Sequence, residues 1–155
     1  MTNTELQSVI SSWINDVSFQ SEGKQYLTLV VPKDKLRELM TKLKNEESTS
    51  FDFLFSLTAV DWLPKNFAVV YHLESTKHRH MVCVITYTED RETNVSVDSV
   101  SDLFPTANFH EREAYDLMGI IFNGHPDLRR LFMQDDWVGH PLRKDYIDET
   151  NLIIR

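Results

Sequence analysis

Apolar side chains recur along this chain in two rhythms, one helical and one extended. In residues 4–17, TELQSVISSWINDV, Leu6, Val9, Ile10, Trp13 and Val17 share one helical face, and Thr4 and Gln7 have the spacing of a capping box. After Gly23 and Lys24 the apolar run QYLTLVV, 25–31, predicts a short strand. Pro32 suits the first position of a second helix, whose stripe is Leu36, Leu39, Met40 and Leu43 and whose end is the polar KNEESTS.

Three strands are predicted next: FDFLFSLTAVDWL (51–63), FAVVYHLES (67–75) and RHMVCVITYTE (79–89), the last two separated by a turn at TKH. VDSVSDLFPTAN, 97–108, mixes short apolar runs with Ser, Asp and Pro105, the pattern of a loop or brief helix. Helix, strand, helix and three strands imply an α+β fold: a two-layer domain with helices packed on one face of a mixed, mostly antiparallel sheet, followed by an extended C-terminal segment. The helix between the first and second predicted strands permits one parallel pair. Residues 1–108 form the expected α+β core, and 109–155 the expected helix and extended docking segment of the same single domain.

Composition narrows the function. The chain has 155 residues, enough for one domain, with 41% hydrophobic and 26% charged residues, as in a globular protein. Its 16 basic against 24 acidic side chains give a net charge of -8, which argues against a nucleic-acid partner. Cys83 is the sole cysteine, so the chain forms no internal disulfide and has too few thiols to hold an iron–sulfur cluster. Set in HMVCVITY, it reads as a small buried filler. No secretory signal and no membrane-length apolar run is visible, which makes the cytoplasm the default address.

Charge, histidine, glycine and proline concentrate in residues 109–146, FHEREAYDLMGIIFNGHPDLRRLFMQDDWVGHPLRKDY. Asn108 and Glu111 suit a capping box, and Gly119 suits the left-handed end of a helix between them. On that helix Ala114, Tyr115, Leu117 and Met118 make an apolar arc, while Arg112, Glu113 and Asp116 project from the opposite side. Glu111 falls inside the arc. Either it caps its own helix, or it meets an arginine, for which Arg129 and Arg130 are the candidates. IIF then reads as a brief strand, NGHP as a turn, and DDWVGHPLRKDY as an excursion with an exposed Trp137.

His110, Glu113, His125, Asp127 and His140 are a tempting metal set. Only His110 and Glu113 have ligand-like helical spacing, and no HExxH motif supports them. Carboxylates and histidines are numerous enough for many catalytic schemes, but no nucleophile elbow, Walker loop or dinucleotide fingerprint accompanies them. A solvated charged loop is the plain alternative. Arginine forks, Trp137 and Tyr146 suit a docking surface better.

The segment resembles the signature region of the 30-kDa, C-type subunit family of respiratory complex I, the NADH:quinone oxidoreductase. The match runs through Glu111, Arg112, Glu113, Asp116, Gly119, Ile120, Phe122, His125, Pro126, Asp127, Leu128, Arg129 and Arg130. It resumes at Asp136, Trp137, Gly139, Pro141, Leu142, Arg143, Lys144, Asp145 and Tyr146. Phe109 stands where Trp is more usual. The resemblance implies a non-redox structural subunit in the hydrophilic arm, peripheral to the cytoplasmic side of the bacterial inner membrane. Such a subunit would dock the 49-kDa, D-type subunit, together with others of the hydrophilic arm, near the quinone site. It would carry no cofactor itself, while the complex uses FMN, iron–sulfur clusters, NADH and quinone. It would touch the membrane only through the complex and bind no nucleic acid. Its catalytic contribution would be as part of the translocase, with no chemistry on this chain. Arg112, Arg129, Arg130, Arg143 and Lys144 are the expected partner contacts, with Glu111, Glu113, Asp116 and Asp127 opposite them, some pairs being internal. The short tail IDETNLIIR points to a separate polypeptide rather than a fusion. Two alternatives remain: the equivalent subunit of a membrane-bound hydrogenase or related dehydrogenase complex, and a free-standing soluble enzyme using the His and carboxylate cluster.

Overall fold

The computed structural model describes residues 1–20 and 23–148. Its order is α1 (Asn3–Trp13), β1 (Ser18–Gln20), β2 (Leu27–Val30), α2 (Lys33–Asn45), β3 (Phe53–Trp62), β4 (Asn66–Ser75), β5 (His80–Tyr87), β6 (Ser96–Asp98), α3 (Ala107–Met118) and β7 (Ile121–Asn123). Five strands form one sheet in the order β1-β2-β5-β4-β3, and β6 and β7 form a second, parallel pair. Within the large sheet only β2 and β5 run parallel. The expected mixed α+β sheet is present. Its parallel partner for β2 is β5, reached after α2 and the β3–β4 hairpin, rather than the next strand in sequence.

Period-two burial explains why the helices gather on one face. Leu54, Leu57 and Ala59 of β3 pair with Leu73, Tyr71 and Val69 of β4, which pair in turn with Val82, Val84 and Thr86 of β5. All of these but Thr86 join Leu6 and Ile10 of α1, the α2 stripe and Ala107 and Ala114 of α3 in one core. Leu36, Leu39, Met40 and Leu43 are wholly buried, as their spacing predicted, and each is worth about 1.5–3 kcal/mol relative to exposure.

Four local expectations are corrected. The capping box of α1 is Thr2 and Glu5, because the Glu5 carboxylate accepts from the Thr2 amide at 2.7 Å while the Thr2 hydroxyl accepts from the Glu5 amide. The helix ends at Trp13, since Ile14 is already extended. Pro32 is the N-cap of α2 rather than its first helical residue. Residues 97–108 begin as strand, because β6 finds its partner in β7, some 25 positions later.

Candidate functional site

Of the three charged residues expected on the outer side of α3, Glu113 is exposed but Arg112 and Asp116 are buried. Asp116 has no exposed surface and Arg112 only 9%. Residues 129–146 return across that side of the helix and supply what a buried charge requires. Oδ2 of Asp116 accepts three consecutive amides, Leu131 at 3.0 Å, Phe132 at 2.6 Å and Met133 at 2.9 Å. Oδ1 accepts from the Arg130 guanidinium at 2.9 Å. Burial alone pushes this carboxyl up. The Met133 and Phe132 amides, Arg130 and the Leu131 amide outweigh it and hold the group below the usual aspartate range.

Arg130 extends the network, donating from Nη2 to the carbonyls of Trp137 and Gly139, both at 3.0 Å. Arg112 donates to the carbonyls of Arg129 and Arg130, both at 3.2 Å, and lies over the Phe109 ring. The i,i+4 pair of Arg112 and Asp116 is therefore not formed. Each residue instead grips the returning chain.

The same return closes the end of α3. A helix leaves its last carbonyls without partners, and that end attracts positive charge. Here Asp116 O takes His140 Nδ1 at 2.9 Å, Leu117 O takes the Leu142 amide at 3.0 Å, and Met118 O takes Arg143 Nε at 2.6 Å. Gly119 caps the helix at φ 74, as its position predicted. A Cβ there would sit 2.5 Å from His140 and 2.6 Å from Arg143, so close approach as well as φ requires glycine. Gly139, at φ 87, likewise leaves room for the Tyr146 ring, which a Cβ would meet at 2.8 Å.

Beyond α3 the chain is fastened to the sheet. Asp61, buried on β3, binds Arg91 and accepts the Lys144 amide at 2.8 Å. Arg91 also reaches Asp145 at 3.0 Å. The guanidinium carbons of Arg91 and Arg143 lie 4.5 and 4.9 Å from the centroid of the Phe67 ring.

Glu111 meets neither predicted arginine. Its carboxylate accepts from Ser99 Oγ at 2.6 Å and from the Val100 amide at 2.8 Å, and His125 Nε2 lies 3.9 Å away. Nor does it cap its own helix: α3 starts at Ala107, and the Thr106 hydroxyl before it is taken by Leu54 O. Without a cation in contact, burial pushes the Glu111 carboxyl up to about 7.

The remaining signature residues divide plainly. Glu113, Asp136 and Lys144 are exposed, and Arg129 pairs with exposed Asp127 at 2.8 Å. Trp137 is half-buried rather than exposed, and its indole Nε1 is enclosed. Among the described residues no three His, Cys, Asp or Glu side chains gather as a metal would require. Ser99, Val100, Asp61, Arg91 and Phe67 were missed as site residues. A lone acid on the core face of an apolar strand was the available signal for Asp61. The tail residues 149–155 lie outside the described residues.

With several charges turned inward, the segment also exposes large apolar side chains among its surface charges. Phe109 (61% exposed), Phe132 (60%), Val138 (86%), Leu142 (55%) and Ile147 (73%) all face outward.

Comparison with known proteins agrees with the geometry. The chain is 51% identical over 121 residues to a C/D-type NADH-quinone oxidoreductase subunit from Phocaeicola vulgatus, covering 78% of this chain and 23% of that one. It thus spans about a quarter of the length of such C/D relatives. A C-type NADH-quinone oxidoreductase subunit from Geobacter metallireducens is 41% identical, covering 92% of this chain and 85% of that one. Among solved structures, a trypsin-resistant fragment of Nqo5 superposes with TM-score 0.70 at 32% identity, over 82% of this chain and all of the fragment. A chain of an archaeal membrane-bound sulfane sulfur reductase superposes with TM-score 0.80 at 25% identity, over 93% of this chain and 85% of that one. The profile of the family described as respiratory-chain NADH dehydrogenase, 30 Kd subunit, matches residues 29–151, most of the chain and all of the site above, and the protein belongs to that family.

Proposed function

We propose that this chain is a non-redox structural subunit of the peripheral arm of a proton-translocating NADH:quinone oxidoreductase, and that it docks the 49-kDa subunit near the quinone site. The observation that carries the proposal is that residues 109–148 expose large apolar side chains over a buried ion-pair network. Ion pairs and carbonyl caps stiffen the segment from within, and exposed Phe109, Phe132, Val138, Leu142 and Ile147 offer the partner apolar surface. Aromatic anchors on a rigid support are the arrangement of binding hot spots. The C/D relatives, in which a C-type unit occupies about a quarter of a longer chain, favour a D-type neighbour. Electron transfer from NADH through flavin and iron–sulfur centres to quinone belongs to other subunits. The address is the cytoplasmic side of the inner membrane. No helix among the described residues is long and apolar enough to cross a membrane, so attachment runs through the complex.

This revises the expected mode of docking. Arg112, Arg130 and Arg143 build the platform, while Arg129 stays at the surface to meet a partner. Phe132→Ser should leave the melting temperature of the chain unchanged and weaken capture of the 49-kDa subunit by roughly thirtyfold, the equivalent of about 2 kcal/mol for one hot-spot aromatic. Equal capture by variant and wild type would remove the proposed interface. The likeness to the sulfane sulfur reductase chain favours one second reading, the equivalent subunit of a related membrane-bound complex. Mass spectrometry of the polypeptides that co-purify from solubilised membranes separates the two.

A further inference from the structure

Docking leaves Glu111 and His125 unused, although both side chains are wholly buried and belong to the signature segment. Their surroundings contain no free cation among the described residues. On the α2 side, Arg37 is committed to Asp102, through contacts of 3.0 and 2.5 Å, and to the Ser99 carbonyl at 2.8 Å. From β4 comes the Tyr71 phenol, buried without a hydrogen-bond partner and close enough to sense both Glu111 and Asp98 of β6. From the turn after β7 comes His125. Its Nδ1 accepts the Asp127 amide at 3.0 Å, so Nε2 carries the ring proton and donates to Asn108 O at 3.1 Å. Both ring nitrogens are thus engaged by the backbone.

A proton on Glu111, by contrast, has a ready acceptor. Oε2–H donates to Ser99 Oγ over 2.6 Å, Ser99 donates to Ser101 Oγ over 2.8 Å, and the Ser101 amide donates back to Ser99 Oγ at 3.2 Å. The Val100 amide satisfies Oε1. Loss of that proton leaves a wholly buried anion held only by the Ser99 hydroxyl and the Val100 amide, with no cation in contact and the Tyr71 phenol still unpartnered. A buried charge lacking a counter-ion opens its surroundings to water.

We propose that Glu111 and His125 form a proton-operated latch that ties α3 to the loop after β6 and the turn after β7, closed while Glu111 carries its proton and loosened when the proton leaves. The loosened elements are those leading into Asp127–Met133, so the latch governs how firmly the docking segment is held. The sign follows from the raised carboxyl. Stability is fully present below the ordinary glutamate value of 4.5 and is lost as pH rises through about 7. Across that whole window the closed-to-open ratio falls by up to about 300-fold.

Amide exchange of the full chain reads this directly. In wild type, protection of the Val100 and Asp127 amides, corrected for the intrinsic pH dependence of exchange, should fall steeply from mildly acidic to mildly alkaline buffer. Glu111→Gln keeps the shape of the protonated acid and should stay protected throughout. A flat wild-type profile, or a variant that falls in step with it, overturns the latch. Should the variant not fold, carbon-13 NMR of the wild-type Glu111 carboxyl decides the matter. A midpoint near neutrality supports the latch, and a carboxyl already ionised in mildly acidic buffer overturns it.

Discussion

Asp116→Asn is the sharpest probe of the inward-facing network. The substitution preserves shape and removes one charge. If the Asn oxygen keeps the Leu131, Phe132 and Met133 amides, its NH2 group is pushed against Arg130, two donors face to face. If it turns around, three amides lose their acceptor. Either way Arg130, whose side chain is only 13% exposed, is left a buried cation without its carboxylate. Breaking a buried ion pair on one side costs about 3–5 kcal/mol, against a total stability of about 5–15 kcal/mol for a domain. The full chain should therefore show a sharply lower urea midpoint, with the amides of 131–133 exchanging first. The acid limb supplies a second check. Because the Asp116 carboxyl is held below its ordinary 3.8, its contribution is present above that value and is lost as pH falls through the folded-state value. Wild type should lose this component in acid, while Asp116→Asn should lack it from the start. A variant within about 1 kcal/mol of wild type would mean that the three-amide cradle is ordinary surface chemistry.

Gly119→Ala should destabilise the chain by more than the roughly 1 kcal/mol of a lost left-handed cap, because its Cβ would strike His140 and Arg143; chemical denaturation measures the excess. Asp61→Asn should free residues 143–146 from the end of β3, and limited trypsin digestion should then cut after Arg143 or Lys144 well before the core is attacked. If that site stays protected, Asp61 is not what fastens the segment.

The sheet and α2 were legible because their signals are local. The α2 stripe repeats at helical spacing, and β3 to β5 are long enough to alternate visibly. β1 and β6, three residues each, carry too little pattern to register alone, and β6 exists by virtue of β7. The site failed differently. Arg112 and Asp116 sit on the polar side of α3, and a helical wheel assigns such residues to water. What buries them is a chain returning from positions 129–146, whose amides and carbonyls leave no trace in residue identity. Glu111 was visible as an acid inside an apolar arc, and its need for a partner followed from burial. That the partners are Ser99 and Val100 depends on the β6–β7 pairing, and no periodicity near α3 encodes it.

Photo-crosslinking in the assembled complex tests the docking claim most directly. A crosslinking side chain placed at Phe132, exposed on the returning segment, should join this chain to the 49-kDa subunit, whereas one at Glu47, exposed in the turn after α2 beside Lys77 and His78, should not. Joining at position 47 with none at position 132 would mean that the exposed apolar side chains of the signature segment face something else.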